Sequence, residues 1–345
     1  MNKPLRAGIV GYGYMGQIRR RNVADHPDLE LAGICDPFRR DAFSNQNVPV
    51  FDRWQDLVAA ELDIVFACTP NNLIPEVAIT ALNNGRHVFC EKPPGRNLAD
   101  IQRIHAAELA NPGCRLLFGF NHRHHPGITD AKAIIDSGAL GEILTLRGVY
   151  GKGGGYDYPA SWRNDPEIGG GGILLDQGIH MLDLFRLFVG DFTDVIGMRG
   201  KTVFDVPVED NAFVLLRTAG GKMAQLHSSA TSWKHTFRLE IGCEKGYAVI
   251  SGLLSKTGSY GRETLIIGRR PTPGERAAVG NPREETTYYD ADPSWDIEVA
   301  HLVECIREDK PVEQGTSRDA LRVMEIIDRI YREPLMNSIP GSAQP

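Results

Sequence analysis

From Leu5 to Phe120 one pattern repeats along the chain: a short, nearly continuous apolar run, then a stretch long enough for a helix with apolar positions on one side. The runs are LRAGIV, LELAGIC, DIVFAC, RHVFCEK and RLLFGF. Strands that are apolar on both alternating sets of positions are buried on two faces, and their alternation with helices is the rhythm of a doubly wound parallel sheet. Ligands of such sheets bind at the carboxyl ends of the strands. After about Asn121 the rhythm changes. A helix over 126–137, a strand over 143–150, a glycine-rich loop and a second helix over 172–188 lead into strands of alternating polarity. NAFVLLRTAGGKMAQLHSSA, about a Gly-Gly turn, and FRLEIGCEKGYAVISG, about a Lys-Gly turn, predict antiparallel hairpins of an open sheet with one face packed on helices. Two helices, over 294–308 and 316–332, precede a polar tail.

Composition narrows what such a chain does. Its 345 residues exceed what one hydrophobic core organises, so two domains are expected. A net charge of -6 gives no general attraction to nucleic acid or to anionic membranes, which points to small-molecule chemistry. The first residues lack the h-region of a signal peptide, and no apolar run is long enough to span a bilayer, so a cytoplasmic protein is expected. The six cysteines (Cys35, Cys68, Cys90, Cys114, Cys243, Cys305) form no C-x-x-C pair and read as reduced core thiols.

The first apolar run enters Gly11-Tyr12-Gly13-Tyr14-Met15-Gly16, followed by a segment able to continue as a helix. Strand, G-x-G-x-x-G and helix together form the Rossmann dinucleotide fingerprint. Gly11 permits the tight turn, Gly13 lets the backbone approach a pyrophosphate, and Gly16 lets helix and strand pack closely. The helix N-terminus offers free N–H groups and partial positive charge. Asp36, twenty residues after Gly16, ends the second strand, where a carboxylate accepts hydrogen bonds from the adenosine ribose and repels a 2'-phosphate. This points to NAD. Arg39 and Arg40 keep NADP open as the alternative, since either guanidinium can stack on adenine or clamp a 2'-phosphate, or simply be solvated. The predicted architecture is an α/β Rossmann dinucleotide-binding domain over 1–121. An α+β domain with a large open, mainly antiparallel sheet follows over 122–332, for substrate and oligomerisation, with a C-terminal helix able to pack back on the first domain. A flexible tail covers 333–345.

Two further segments carry candidate chemistry. The fourth strand ends in Cys90-Glu91-Lys92-Pro93-Pro94, which sets a lysine at the carboxyl edge of the sheet; by itself such a lysine is most often a surface residue. In GGGGILLDQGIH, ending at His180, Asp176 and His180 are four residues apart and share one face of a predicted, mostly apolar helix. Burying both costs energy unless they are paired or used, and a structural Asp–His contact is the alternative to catalysis. Gly178 between them suggests that something approaches the helix closely there.

With Thr69-Pro70-Asn71 after the third run, these motifs resemble the glucose-fructose oxidoreductase / inositol dehydrogenase (Gfo/Idh/MocA) family over nearly the whole chain. The resemblance implies a Rossmann domain followed by an open-sheet domain, often in homodimers or homotetramers, acting on a carbohydrate with a nicotinamide cofactor. It places the family's catalytic lysine on Lys92, its aspartate and histidine on Asp176 and His180, and a cis peptide at Lys92-Pro93. His180 would take a hydroxyl proton, Lys92 would stabilise the developing alkoxide, and Asp176 would orient substrate or imidazole. Tyr12, Tyr14, Met15, Thr69, Pro70, Asn71, Glu91, Lys92 and Asn121 complete the expected cofactor contacts. Ile74 stands where the family often carries a histidine.

The segment after Gly119 is rich in histidine. His122, His124 and His125 invite a metal reading, but adjacent residues of a short loop rarely converge on one ion, so no metal is expected. Asn121, His122 and Arg123 are expected to line the cleft beside nicotinamide and substrate. Between the domains, the loop Gly151 to Arg163 combines glycines, aromatic faces and charge. Tyr156 and Trp162 suit sugar C–H surfaces, and Lys152 or Arg163 suits a phosphate or carboxylate; a mobile connector with solvated charges is the alternative. The glycines before the 172–188 helix offer a second N-terminus where an anion can dock. The expected function is therefore hydride transfer between NAD(P) and a hydroxyl or keto carbon of a sugar or sugar derivative, including nucleotide-linked ones. An inositol dehydrogenase and, in another class, a non-catalytic dinucleotide sensor are the alternatives.

Overall fold

The computed structural model describes residues 3–38, 48–255, 258–271 and 283–336. They form two compact units, one from Met1–Asn121, Pro166–Gly170 and Trp295–Glu325, the other from His122–Asp165, Gly171–Ser294 and the residues after Glu325.

In the first unit β1 (Leu5–Val10), β2 (Leu29–Cys35), β3 (Val50–Phe51), β4 (Ile64–Ala67), β5 (His87–Cys90) and β6 (Leu116–Phe118) form a parallel sheet of order β3-β2-β1-β4-β5-β6. The order reverses beside β1, which places the switch point, and hence the ligand crevice, at the ends of β1 and β4. Two-residue β3 is too short for any periodicity to show. Helices α1 (Tyr14–Asp25), α2 (Trp54–Ala59), α3 (Ile74–Asn83) and α4 (Leu98–Ala110) connect the strands. Ala7, Ile9, Ile34, Ile64, Phe66 and Phe89 make one core with Val299, Leu302 and Val303, which come from a helix near the end of the chain, α7 (Ser294–Arg307).

That core contains a charge. Arg19 of α1 is fully buried, its Nε donating to Glu91 at 2.7 Å and its Nη2 to Glu298 of α7 at 2.6 Å. Burial alone would lower the guanidinium's pKa; the carboxylates of Glu298 and Glu91 outweigh it and hold the charge. An apolar-pattern reading has no way to place an arginine inside.

In the second unit α5 (Pro126–Asp136) precedes β7 (Ile143–Gly153), and α6 (Ile179–Val189) precedes seven more strands. These are β8 (Phe192–Gly200), β9 (Asn211–Thr218), β10 (Met223–Ser229), β11 (Thr231–Cys243), β12 (Gly246–Ser251), β13 (Glu263–Arg269) and β14 (Glu284–Tyr289). The sheet order is β14-β13-β12-β11-β7-β10-β9-β8, and β7 with β10 is its parallel pair. Both expected hairpins form, β9–β10 turning at Gly221 with a φ of +86° and β11–β12 turning before Gly246. Met181 and Phe185 of α6 press onto Gly148 of β7, where a Cβ would stand 2.5 Å from Met181 Cγ. The opposite face is bare at one end: Ile196 and Met198 of β8, paired with Leu215 and Phe213 of β9, are 67, 58, 55 and 46 % exposed.

Two expectations are corrected. β7 runs on through Gly153, because its outer residues still find partners on β10 and β11, so the glycine-rich stretch is partly strand and belongs to the second unit. The helix expected over 172–188 opens with a π-helical turn, Leu174–Gly178, and becomes regular only at Ile179. The final helix, α8 (Ser317–Tyr331), gives its first residues to the first unit and its last to the second.

Candidate active site

In the first unit the backbone builds a cradle. After β1, Gly11 turns at a φ of +89° and donates its N–H to Cys35 O at 2.8 Å. A Cβ there would stand 2.5 Å from the Cys68 carbonyl oxygen, and one on Gly16 would collide with the Gly11 carbonyl. A Cβ on Gly13 meets nothing within 4 Å, so the turn leaves open space where the fingerprint puts a pyrophosphate. Helix α1 begins there, with no acidic residue in its first turn to compete for its free N–H groups. Asp36 is buried; its Oδ2 accepts from Tyr12 N at 2.7 Å and its Oδ1 from Phe38 N at 2.9 Å. A carboxylate has about four lone-pair sites, so Asp36 shapes the loop and retains acceptor capacity for a ribose. Among the described residues Thr69 Oγ1, at the end of β4, is buried without a hydrogen-bond partner. Open space above Gly13 and this orphaned hydroxyl fit a bound dinucleotide.

The other expected cofactor contacts divide. Tyr12 is buried, Tyr14 is exposed and Met15 is half-buried in the first turn of α1. Pro70 is exposed, whereas Asn71 Nδ2 donates to Gly169 O at 2.7 Å and so holds the chain's own 166–170 segment. Glu91 is committed to Arg19, leaving Lys92, half-buried after β5, as the functional group at that strand end; the Lys92-Pro93 peptide is cis, as the resemblance implies. Asn121 is buried at the start of a 3-10 turn, and Ile74 is a fully buried core residue. Arg39 lies outside the described residues.

In the second unit the histidine-rich turn spreads its side chains over separate partners. His122 stacks on His180 of α6, centroids 3.7 Å apart and planes 12° from parallel, with its Nε2 2.9 Å from the Tyr150 hydroxyl. Arg123 forks onto Asp183 of α6 at 2.7 and 2.5 Å, a buried pair that fastens the turn to the helix. His125 Nδ1 lies 2.8 Å from Glu263, whose other oxygen accepts from Gly127 N at 2.7 Å. Of the three residues, His122 is the one set against a candidate catalytic group. Arg123 and His125 have structural partners.

Asp176 stands in the π-helical turn and faces a cavity of about 320 Å³ also lined by Lys152, Tyr158, Ser161, Arg163 and His235. Arg163 Nε is 3.3 Å from its Oδ1, and Gln177 donates to its Oδ2 at 3.1 Å. Burial, with the negative charge of Asp176, raises the phenols of Tyr158 and Tyr260; burial, Tyr260 and Asp176 raise Tyr150. All three therefore stay protonated at neutral pH. Trp162 lies under the Arg163 guanidinium at 4.5 Å, and Tyr156 is fully exposed.

Two sequence signals had other causes. The approach at Gly178 comes from β10, since a Cβ there would stand 3.1 Å from Ser228 Oγ and 2.8 Å from Leu174 Cδ1. The glycine-led helix start docks no external anion because the buried Glu209 fills it, accepting from Gly172 N at 3.1 Å, Leu174 N at 3.2 Å and the Tyr331 hydroxyl at 2.7 Å. Glu209, Tyr150 and Asp183 carry no spacing signal; only their burial marks them.

Comparison with known proteins bears on the fold and the family. Residues 5–120 match the profile described as an oxidoreductase family with NAD-binding Rossmann fold, and residues 128–249 match the GFO/IDH/MocA C-terminal domain. The chain is 29% identical to a levoglucosan dehydrogenase of Pseudarthrobacter phenanthrenivorans over 238 residues, 63% of this chain and 59% of that protein. It is 28% identical to a myo-inositol 2-dehydrogenase of Thermotoga maritima over 254 residues, 70% of this chain and 74% of that one. Among solved structures, a levoglucosan dehydrogenase complexed with NADH and L-sorbose superposes with a TM-score of 0.83 at 22% identity, covering 95% of this chain and 96% of the other. The WlbA dehydrogenase of Bordetella pertussis, complexed with NADH and UDP-GlcNAcA, gives 0.79 at 23% identity with 96% of each covered.

Proposed function

Because the chain belongs to the Gfo/Idh/MocA family of NAD-binding oxidoreductases, we propose that it oxidises a CH–OH group of a sugar or sugar derivative, or reduces the corresponding ketone. The observation that carries the reading is the buried His180 imidazole, held flat against His122, which Tyr150 fixes in turn. An imidazole so oriented serves as a general base near neutral pH.

The Gly11 to Gly16 turn and Thr69 would hold NAD+, which would supply the hydride acceptor for the substrate carbon. His180 takes the hydroxyl proton as that C–H bond breaks and the carbonyl forms. Lys92, after β5, carries the charge that suits stabilising a developing alkoxide. Asp176, held by Arg163 and Gln177, orients the substrate or the imidazole. We expect Lys92→Ala and His180→Ala to bind NADH as the wild type does and to lose turnover by about a hundredfold or more, read as NAD+ reduction over a panel of sugars and polyols. Near-wild-type rates in either variant would overturn the assignment. Reduction of NAD+ by myo-inositol alone would make the chain a polyol dehydrogenase, and no reduction by any member would favour a dinucleotide sensor. The bare end of the eight-stranded sheet supports a homo-oligomer, and six free thiols suit the reducing cytoplasm.

A further inference from the structure

The cavity beside Asp176 is furnished for more than a hydroxyl. Of its charged groups, Arg163 and Asp176 lie 3.3 Å apart and offset each other, and Asp157 stands at the exposed mouth, where water screens it. Lys152 differs. It is half-buried at the next-to-last position of β7, its ammonium 6.0 Å from the Tyr158 ring centroid. Among the described residues it has no hydrogen-bond or ion-pair partner. A partly desolvated ammonium without a counter-ion is costly, and the carboxylate or phosphate of a ligand is the natural complement. His235 lines the same wall, held below the ordinary imidazole range by burial and by the Lys152 charge, so at neutral pH it offers a polar nitrogen and not a second cation. Tyr156, between the lining residues Gly155 and Asp157, and Trp233, two residues before His235, present whole rings to solvent at 107 and 105 % exposure, and such faces suit the C–H side of a pyranose.

We propose that the substrate is an anionic sugar whose carboxylate or phosphate is taken by Lys152, rather than a neutral monosaccharide or polyol. This rests on the sugar oxidoreductase reading above. The test compares NAD+ reduction with D-glucose, myo-inositol, D-glucuronate, D-glucose 6-phosphate and UDP-glucose, in the wild type, Lys152→Met and Lys152→Arg. Calorimetric binding of the same sugars in the presence of NADH runs beside it. The expected result is a kcat/KM for a charged sugar about tenfold or more above its neutral counterpart, a fall of that ratio by about tenfold in Lys152→Met through KM, and recovery in Lys152→Arg. Preference for glucuronate identifies a carboxylate; preference for the phosphorylated sugars identifies a phosphate. Equal use of neutral and charged sugars, or a ratio unmoved in Lys152→Met, overturns the proposal and leaves the oxidoreductase reading standing. Lys152-dependent binding of a charged sugar without turnover supports the subsite and overturns that reading instead. Neither binding nor turnover overturns both.

Discussion

The two sheets solve one problem in opposite ways. In the first unit the strands are covered on both faces, as the fully buried β4 shows, and the candidate site sits at strand ends, built mostly from backbone: the Gly11 to Gly16 turn, the α1 N-terminus and the Thr69 position. In the second unit β9 alternates buried and exposed residues along its length. One face packs on helices and carries the candidate site as side chains, Tyr150 from β7 against His122 and His180, while the other is bare at its β8–β9 end. A backbone-built site tolerates changes of side chain but not of glycine. A side-chain site depends on what packs behind it.

The contrast can be broken most forcefully at the buried charge of the first unit. Glu298→Ala leaves the Arg19 guanidinium with one carboxylate and is expected to cost about 3–5 kcal/mol in urea unfolding, whereas breaking a surface pair such as Arg217–Asp194 is expected to leave the urea midpoint nearly unmoved. A matched aromatic pair sharpens the same point: Phe66→Ala, in the parallel sheet, should cost roughly 3–5 kcal/mol, and Phe213→Ala, on the bare face, far less. Leu215→Arg on that face should leave the fold intact by circular dichroism and weaken self-association at least about tenfold in analytical ultracentrifugation; an unchanged assembly would place the interface elsewhere. Gly178→Ala, pressed by Ser228, should lose about 1–3 kcal/mol.

The smallest effect is electrostatic. Burial raises the Glu209 carboxyl above its ordinary value of 4.5. An acid whose folded pKa is raised contributes its full stability below the unfolded value and loses it as pH rises through the folded one, because the unfolded chain ionises more readily. Its Oε2 has no hydrogen-bond partner among the described residues, so Glu209→Gln keeps the accepting oxygen. The variant should flatten the decline of stability that begins at about pH 4.5, measured as urea midpoints across pH.

Much of this was legible beforehand, for a physical reason. The G-x-G-x-x-G turn, the cis Lys92-Pro93 peptide and the two hairpins each follow from a local rule or from a family resemblance carried by local motifs. The losses share a cause as well. The Glu209 cap and the Arg19 cluster are made by residues far apart in the chain, 37 positions for Gly172 and Glu209 and 279 for Arg19 and Glu298. A glycine inside a helical stretch, as at Gly178, marks a close approach, yet the pattern does not distinguish a neighbouring strand from a ligand.

The membership of α7 in the first unit's core reaches into biosynthesis. When the ribosome has released the residues up to Asn121, the six parallel strands exist, but Val299, Leu302 and Val303 do not yet fill their core and Glu298 does not yet accompany Arg19. A nascent chain therefore carries an incomplete, charge-bearing core through most of translation, and the dinucleotide-binding unit closes nearly last although it is made first. That exposes it to chaperones during synthesis. A fragment ending at Asn121 should likewise fail to fold as an independent unit.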